Sequence, residues 1–268
     1  MSRTGLGSTE RGGGETTGRS QTTASRRGAA RPTAFVAGAS GALGGAVATR
    51  LHARGFAVAL HSYADTKTIG ELLTDLPGSF AVRADLSDWA AVRSAATEVH
   101  DRLGGSVGVV ANCSGLRDDG LLVTQDPTAW RRVIEVNLVG SFHVCRAFLP
   151  GMLRARYGRI VNVVSPSGVR GSPGQTAYSS AKAGVIGLTR SLAHECGRHG
   201  VTVNCLSPGL MDSRMTAGIP PAQRDAILRS AAVSDAVPPA EVARLIDVII
   251  DAPHLTGQVL AVDGGMSA

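Results

Sequence analysis

Short apolar runs alternate with stretches of helical periodicity from Thr33 onward, and this alternation constrains the fold more than any other feature of the chain. Runs of strand length lie at Thr33–Ala37, Ala57–His61, Ser79–Ala84, Val107–Ala111, Arg159–Val164, Val201–Leu206 and Gly257–Val262. Helical patterns fill the intervals: Ala42–Arg54, a stretch reaching Arg102, a long one over Thr128–Leu149 with Pro150-Gly151 as its stop, Tyr178–His199 and Pro238–Ile250. Strands and helices alternating along a whole chain argue for a parallel sheet covered on both faces. The expected fold is α/β, a single-domain Rossmann-like doubly wound parallel sheet of about seven strands. Aromatics are only 4% of the residues, so Ala, Val, Leu and Gly fill the interior, as suits such a sheet. No linker or internal repeat follows residue 32, and residues 33–268 read as one domain.

Residues 1–32 are different. Six arginines against Glu10 and Glu15 place four of the six net positive charges there, in a Gly-, Ser-, Thr- and Arg-rich segment with almost nothing apolar to bury. Disorder is expected, as a solvated extension in preference to a nucleic-acid contact. No apolar run reaches the length of a membrane span, and no secretory signal opens the chain. Cys113, Cys145, Cys196 and Cys205 lack C-x-x-C spacing and sit in apolar surroundings. They read as buried free thiols of a cytoplasmic protein, with no metal site.

The first strand runs straight into G-A-S-G-A-L-G-G, Gly38 to Gly45, and then a helix. Glycines there let the backbone approach a pyrophosphate, and the helix N-terminus supplies free N–H groups. The second strand ends at His61-Ser62-Tyr63, where dinucleotide folds place a carboxylate for the ribose hydroxyls. Its absence favours NADP(H) over NAD(H), although Asp65 could swing back and Lys67 could simply face solvent. After the third strand, Ser87 or Asp88 suits an N-cap, which leaves Asp85 for an adenine amine. Residues 210–233 look like a helical lid over the sheet edge. Asn137 places an amide among apolar neighbours and needs a partner, as a satisfied core group or as a catalytic one.

Ser165 follows the fifth strand, at the edge where open α/β sheets keep their ligands. Tyr178 and Lys182 are four apart on a helix and so share a face. A phenol has an ordinary pKa of about 10, and an adjacent ammonium lowers it toward the range of useful acid–base chemistry.

These motifs, in this order, resemble the short-chain dehydrogenase/reductase family: G-A-S-G-A-L-G, N-C-S-G from Asn112, E-V-N-L around Asn137, Ser165, Y-S-S-A-K from Tyr178, S-P-G from Ser207, and T-G-Q-V-L-A-V-D-G-G-M from Thr256. Within it the chain is most similar to the 3-oxoacyl-[acyl-carrier-protein] reductases of fatty-acid and polyketide synthesis. The resemblance implies Tyr178 as proton donor, Ser165 polarising the carbonyl, Lys182 lowering the phenol pKa and binding the nicotinamide ribose, and Asn137 holding a water in the proton relay. Gly38, Ser40, Gly41, Leu43 and Gly44 would line the pyrophosphate turn, with Ser62 at the ribose. Asp85 and Leu86 would meet adenine, Asn112 and Gly115 would support the cofactor, and Pro208, Gly209, Met211 and Ser213 would pack near the nicotinamide. The sequence departs from the family pattern at Gly41, where a basic residue is frequent, at Ala42, at N-C-S-G, at Pro166, and in lacking an arginine before P-A-E-V-A.

The implied activity is NADPH-dependent reduction of a 3-oxoacyl thioester carried on an acyl carrier protein. The alternatives are a reductase or dehydrogenase of a free small ketone or alcohol, and a non-catalytic dinucleotide-binding protein. Arg154, Arg156, Arg198 and His199 could form a basic patch at the pocket mouth for an acidic carrier, or be solvated surface residues. The resemblance also implies a homotetramer paired through the helices at 128–149 and 178–199.

Overall fold

The structure, a computed structural model, describes residues 32–268; the disorder expected of the arginine-rich segment lies outside the described residues. The strands are β1 (Thr33–Ala37), β2 (Ala57–Ser62), β3 (Phe80–Arg83), β4 (Val109–Asn112), β5 (Gly158–Val163), β6 (Val201–Pro208) and β7 (Val259–Val262). They form one seven-stranded sheet in the order β3-β2-β1-β4-β5-β6-β7, with every neighbouring pair parallel. Around it lie α1 (Ala42–Ala53), α2 (Thr66–Asp75), α3 (Trp89–Leu103), α4 (Pro127–Ile134), α5 (Gly140–Ala155), α6 (Pro166–Arg170), α7 (Thr176–Cys196), α8 (Pro221–Arg229) and α9 (Pro239–Asp251).

Successive strand residues point to opposite faces, so a strand covered on both sides is apolar at every position. In β1, Ala34 and Val36 pack with Leu43, Val47 and Leu51 of α1 and with Val242, Ile246 and Ile249 of α9. Phe35 and Ala37 turn the other way, toward Val92 and Val99 of α3 and Val144 and Phe148 of α5. From β1 the chain winds outward through β2 and β3, then crosses back to β4 and winds the other way. The carboxyl ends of β1 and β4 therefore flank the topological switch point, where such sheets bind ligands.

Close packing at this point depends on Gly44. A Cβ there would stand 2.1 Å from the Gly38 carbonyl oxygen, a backbone atom that cannot yield, whereas at Gly45 the nearest atom would be 3.5 Å away. Gly44→Ala is expected to cost about 3 kcal/mol, read as a fall of about 10 °C in melting temperature. Gly45→Ala should be neutral or slightly stabilising through helix propensity. Equal melting temperatures for the two variants would show that the turn is not packed this way.

Three sequence expectations need correction. Pro150-Gly151 does not stop the helix, since α5 continues through Pro150 to Ala155. A proline forfeits one N–H bond but does not by itself end a helix. The end is set by Arg156 at φ 52, with the Arg156 N–H on the Leu153 carbonyl (3.3 Å) and the Tyr157 N–H on that of Met152 (3.2 Å). The long helix expected over 128–149 is also broken by a π-helical turn, Glu135–Val139, between α4 and α5. There the Asn137 side chain donates to the Val133 carbonyl one turn back (2.9 Å). Of residues 210–233, expected to be a helical lid, only α8 is helical, and α8 buries none of its residues.

Candidate active site

The predicted site residues gather at the carboxyl edge of the sheet. After β1, Gly38 adopts φ 69, and a Cβ on it would come within 2.9 Å of the Ser114 backbone, so the turn lies directly on the segment following β4. Helices α2, α3 and α4 each begin under an aspartate, Asp65, Asp88 or Asp126, that accepts from first-turn N–H groups. Helix α1 begins at Gly41 with no side-chain acceptor. Its free N–H groups and partial positive charge suit an anionic pyrophosphate. Leu43 contributes only its backbone there, because its side chain is in the core.

Ser62 is buried at the end of β2 and donates to the Asp65 carbonyl (3.2 Å). The Asp65 carboxylate is committed elsewhere. It caps α2 through the N–H of Thr68 (3.0 Å) and its hydroxyl (2.8 Å) and pairs with Arg214. These bonds, Thr68 first, pull its pKa down to about 2. Arg214 also donates to the Ser40 carbonyl (2.8 Å), so the segment after β6 is tied to the glycine-rich turn. Beyond β3, Asp85 accepts from the N–H of Ser87 (2.9 Å), its hydroxyl (2.6 Å) and Arg132 (3.3 Å). Partial burial works to raise its pKa, but these partners outweigh it and hold the carboxyl below its ordinary value. Leu86 is buried beside Gly140, and its carbonyl accepts from His143 (2.9 Å).

Ser165 caps α6, its oxygen accepting the N–H of Ser167 at 3.2 Å, and Pro166 takes the first helical position, where its missing N–H costs nothing. The cap uses only a lone pair of the serine oxygen, so its proton is left to donate toward Tyr178. Helix α6 lies close on α7, since a Cβ on Gly168 would come within 2.7 Å of the Lys182 Cβ. Lys182 is buried, its Nζ donating to the Val163 carbonyl (2.9 Å) and standing 5.6 Å from the Tyr178 ring centroid. Gly115 is where the groups converge: a Cβ there would meet Asn137 Oδ1 at 3.1 Å, Lys182 Nζ at 3.6 Å and Met215 Cε at 3.6 Å.

Both α7 groups are shifted by burial. The Tyr178 phenol is pushed up to about 12 by burial, against smaller lowering effects from Arg117 and a Ser165 hydrogen bond. The Lys182 ammonium is pushed down to about 8 by burial. Tyr178 is only half-buried by its accessible surface, and burial is the largest influence on the phenol, with the Lys182 ammonium 5.6 Å from its ring centroid.

Asn137 is a satisfied amide. Nδ2 donates to the carbonyls of Leu116 (2.8 Å) and Val133 (2.9 Å), and Oδ1 accepts the Leu116 N–H at 3.3 Å. Asn112 is likewise engaged, donating to Ser141 (2.8 Å) and accepting from Ser114 (2.6 Å), while Ser141 donates to the Asn137 carbonyl (2.6 Å). Ser141 thus joins β4 to the π-helical turn, a link with no sequence signature. Sequence reasoning also missed a polar rim. Arg117 pairs with Asp119, Asp119 accepts from the Gln175 side-chain amide (2.9 Å), and Gln175 Oε1 accepts from the Ser167 hydroxyl (2.7 Å).

After β6, Gly209 is held against the C-terminal loop, its N–H on the Val262 carbonyl (2.9 Å). Pro208 ends the strand, Met211 packs at the edge of the core, and Ser213 is joined to Thr216 (3.2 Å). The basic residues Arg154, Arg156, Arg198 and His199 lie elsewhere. They precede β5 and β6, at the amino ends of parallel strands, so they cannot form the mouth of a site at the carboxyl ends. Cys145, Cys196 and Cys205 are buried and Cys113 is half-buried, all as free thiols. Among the described residues no helix is long and apolar enough to cross a membrane.

A doubly wound sheet with a glycine-rich turn at its switch point defines the class of dinucleotide-binding α/β proteins. Residues 38–267 match the family described as Enoyl-(Acyl carrier protein) reductase. Nodulation protein G of Rhizobium sp. (strain N33) is 37% identical over 238 residues, 87% of this chain and 96% of the relative. A 3-oxoacyl-[acyl-carrier-protein] reductase FabG of Staphylococcus epidermidis is 35% identical over 240 residues, 87% of this chain and 98% of the relative. That of Chlamydia muridarum is 40% identical over 165 residues, 61% of this chain and 66% of the relative. The chain belongs to the short-chain dehydrogenase/reductase family, and it is an oxidoreductase that uses a nicotinamide dinucleotide on keto or CH–OH groups.

Proposed function

We propose that residues 33–268 form a domain that catalyses NADPH-dependent reduction of a 3-oxoacyl thioester on an acyl carrier protein. The observation that carries this reading is the meeting of Asn137 and Lys182 at Gly115, with the Tyr178 ring 5.6 Å from the Lys182 ammonium and Ser165 beside the phenol at the sheet's carboxyl edge. When bound, the nicotinamide supplies the hydride. Tyr178 donates the proton to the carbonyl oxygen. A phenol near 12 is a weak acid in water, yet a developing alkoxide, similar in basicity to hydroxide with its conjugate acid at about 15.7, takes its proton readily. Ser165 keeps its hydroxyl proton while its oxygen caps α6, and it donates to the same carbonyl oxygen. Lys182 stabilises the phenolate left behind and bonds the nicotinamide ribose, and Asn137 lines the route by which protons return through Lys182.

Ser40, Leu43 and Gly44 hold the pyrophosphate through backbone N–H groups, while Gly38 and Gly41, whose own N–H groups go to His61 and to the Gly38 carbonyl, shape the turn. Asp85 and Leu86 meet adenine, Asn112 and Gly115 back the cofactor, and Pro208, Gly209, Met211 and Ser213 close over the nicotinamide. NADPH is favoured because the end of β2 offers Ser62 and Asp65 is committed to Thr68 and Arg214. Ser62→Asp should lower the kcat/KM ratio of NADPH to NADH about a hundredfold, since a carboxylate there opposes the 2′-phosphate. An unchanged ratio would remove Ser62 from the site.

The names of the Staphylococcus and Chlamydia relatives support a carrier-linked substrate. The same reading has the protein cytoplasmic and homotetrameric, paired through α4–α5 and α7, with Phe142 of α5 exposed for that contact. Stopped-flow NADPH oxidation with acetoacetyl-carrier protein and with free ketones tests the substrate. A clear preference for the carrier-linked thioester is expected. Equal or better rates on free ketones would assign a free-ketone reductase, and bound NADPH with no turnover on any ketone would assign a non-catalytic binder.

A further inference from the structure

A buried imidazole stands between the nucleotide turn and the third strand. His61, near the end of β2, is 2% exposed. Its Nδ1 lies 3.2 Å from the Gly38 N–H and its Nε2 lies 3.0 Å from the Ala84 carbonyl. An N–H can be accepted only by a bare ring nitrogen, and a carbonyl only by a protonated one. The two bonds therefore fix the neutral tautomer with its proton on Nε2. The His61 main-chain carbonyl accepts the next N–H of the turn, that of Ala39, at 2.8 Å. Two successive N–H groups of the glycine-rich turn thus hang on one residue. The Gly38 carbonyl in turn accepts from Gly41 (3.0 Å) and packs against Gly44, so the placement of Gly38 sets the first turn of α1.

We propose that His61 is the positioning residue of the nucleotide turn, and that its neutral imidazole is required for full dinucleotide affinity, which acid therefore weakens. This rests on the reading of Gly38 to Gly44 as the pyrophosphate turn. Protonated, the ring has two donors and no acceptor, and its Nδ1–H would confront the Gly38 N–H. From β1 the ring meets Phe35 at a centroid distance of 5.9 Å, which carries no charge. From the end of β3 it meets the Ala84 carbonyl and the nearby charge of Asp85, which is held ionised by Ser87 and Arg132. Arg83 of β3 directs its guanidinium to the Tyr63 carbonyl (2.9 Å). Burial, the largest influence, lowers the imidazole below its ordinary 6.5, with Ala84 and Asp85 opposing. The ring is therefore neutral near pH 7 and gains its proton only in acid below 6.5.

The test is calorimetric titration of the full chain with NADP+ at about pH 7.5 and about pH 5.5, a range that brackets ordinary imidazole titration. Wild type is compared with His61→Asn, whose amide oxygen can accept from Gly38 without titrating, and with His61→Leu, which accepts nothing. Wild-type affinity should fall measurably more than that of His61→Asn over this range, with about tenfold as the ceiling because the ring gains its proton below 6.5. The 2′-phosphate's own titration is common to both and cancels in the comparison. His61→Leu should bind about tenfold more weakly than wild type at the higher pH. Parallel wild-type and His61→Asn profiles would overturn the proposal while leaving the turn's function standing. No measurable NADP+ binding by wild type at either pH would overturn both.

Discussion

Tyr178→Phe is expected to cut turnover about a thousandfold while NADPH binds as tightly as before. The substitution removes one oxygen and leaves the ring, so the packing of α7 is preserved. What it removes is the group that α7 and the α6 cap bring to Ser165. The loss should appear in kcat and kcat/KM alike, as for an interaction made only in the transition state. Turnover at the wild-type rate would eliminate Tyr178 as the acid.

Lys182→Met should abolish turnover to a similar extent and yet raise thermal stability. Burial holds the ammonium at about 8 against an ordinary 10.5, which corresponds to a cost of about 3 kcal/mol for keeping the charge in the folded protein. Methionine removes that cost but leaves the Val163 carbonyl without its donor, returning about 1–2 kcal/mol. The net gain of about 1–2 kcal/mol is a rise of about 3–6 °C in melting temperature. Because the folded pKa is depressed, the unfolded chain holds more protons between 8 and 10.5. Wild-type stability therefore rises with pH across that window, and the advantage of Lys182→Met shrinks across it. Calorimetry on both proteins at the two ends of the window checks the sign. A destabilised Lys182→Met at neutral pH would mean that the ammonium is better compensated than its surroundings indicate.

The sheet was legible because parallel strands buried on both faces are apolar at every position, and β1 agrees with its sequence run at both ends. Strand ends shift elsewhere because pairing sets them. β4 begins at Val109, where the Ala34 and Arg159 registers start, and not at the apolar Val107. Pro150 misled because a helix carried by the packing of Val144, Phe148 and Met152 survives one lost bond. The Tyr178–Lys182 pairing was visible in a spacing of four. The sign of the phenol shift was not, since it depends on how much of the fold covers the ring. His61 was hidden for a similar reason, as each of its partners, Gly38 and Ala84, lies 23 residues away in the chain. The misplaced basic patch is instructive, because parallel topology alone sends Arg156 and Ser165 to opposite edges of the sheet.

The most direct measurement is a single turnover: enzyme loaded with NADPH is mixed with acetoacetyl-carrier protein, and nicotinamide absorbance and product are followed together. Loss of one reduced nicotinamide for each 3-hydroxyacyl thioester formed is the predicted result. Persistent NADPH absorbance with the nucleotide demonstrably bound, and no hydroxyacyl product, would contradict it.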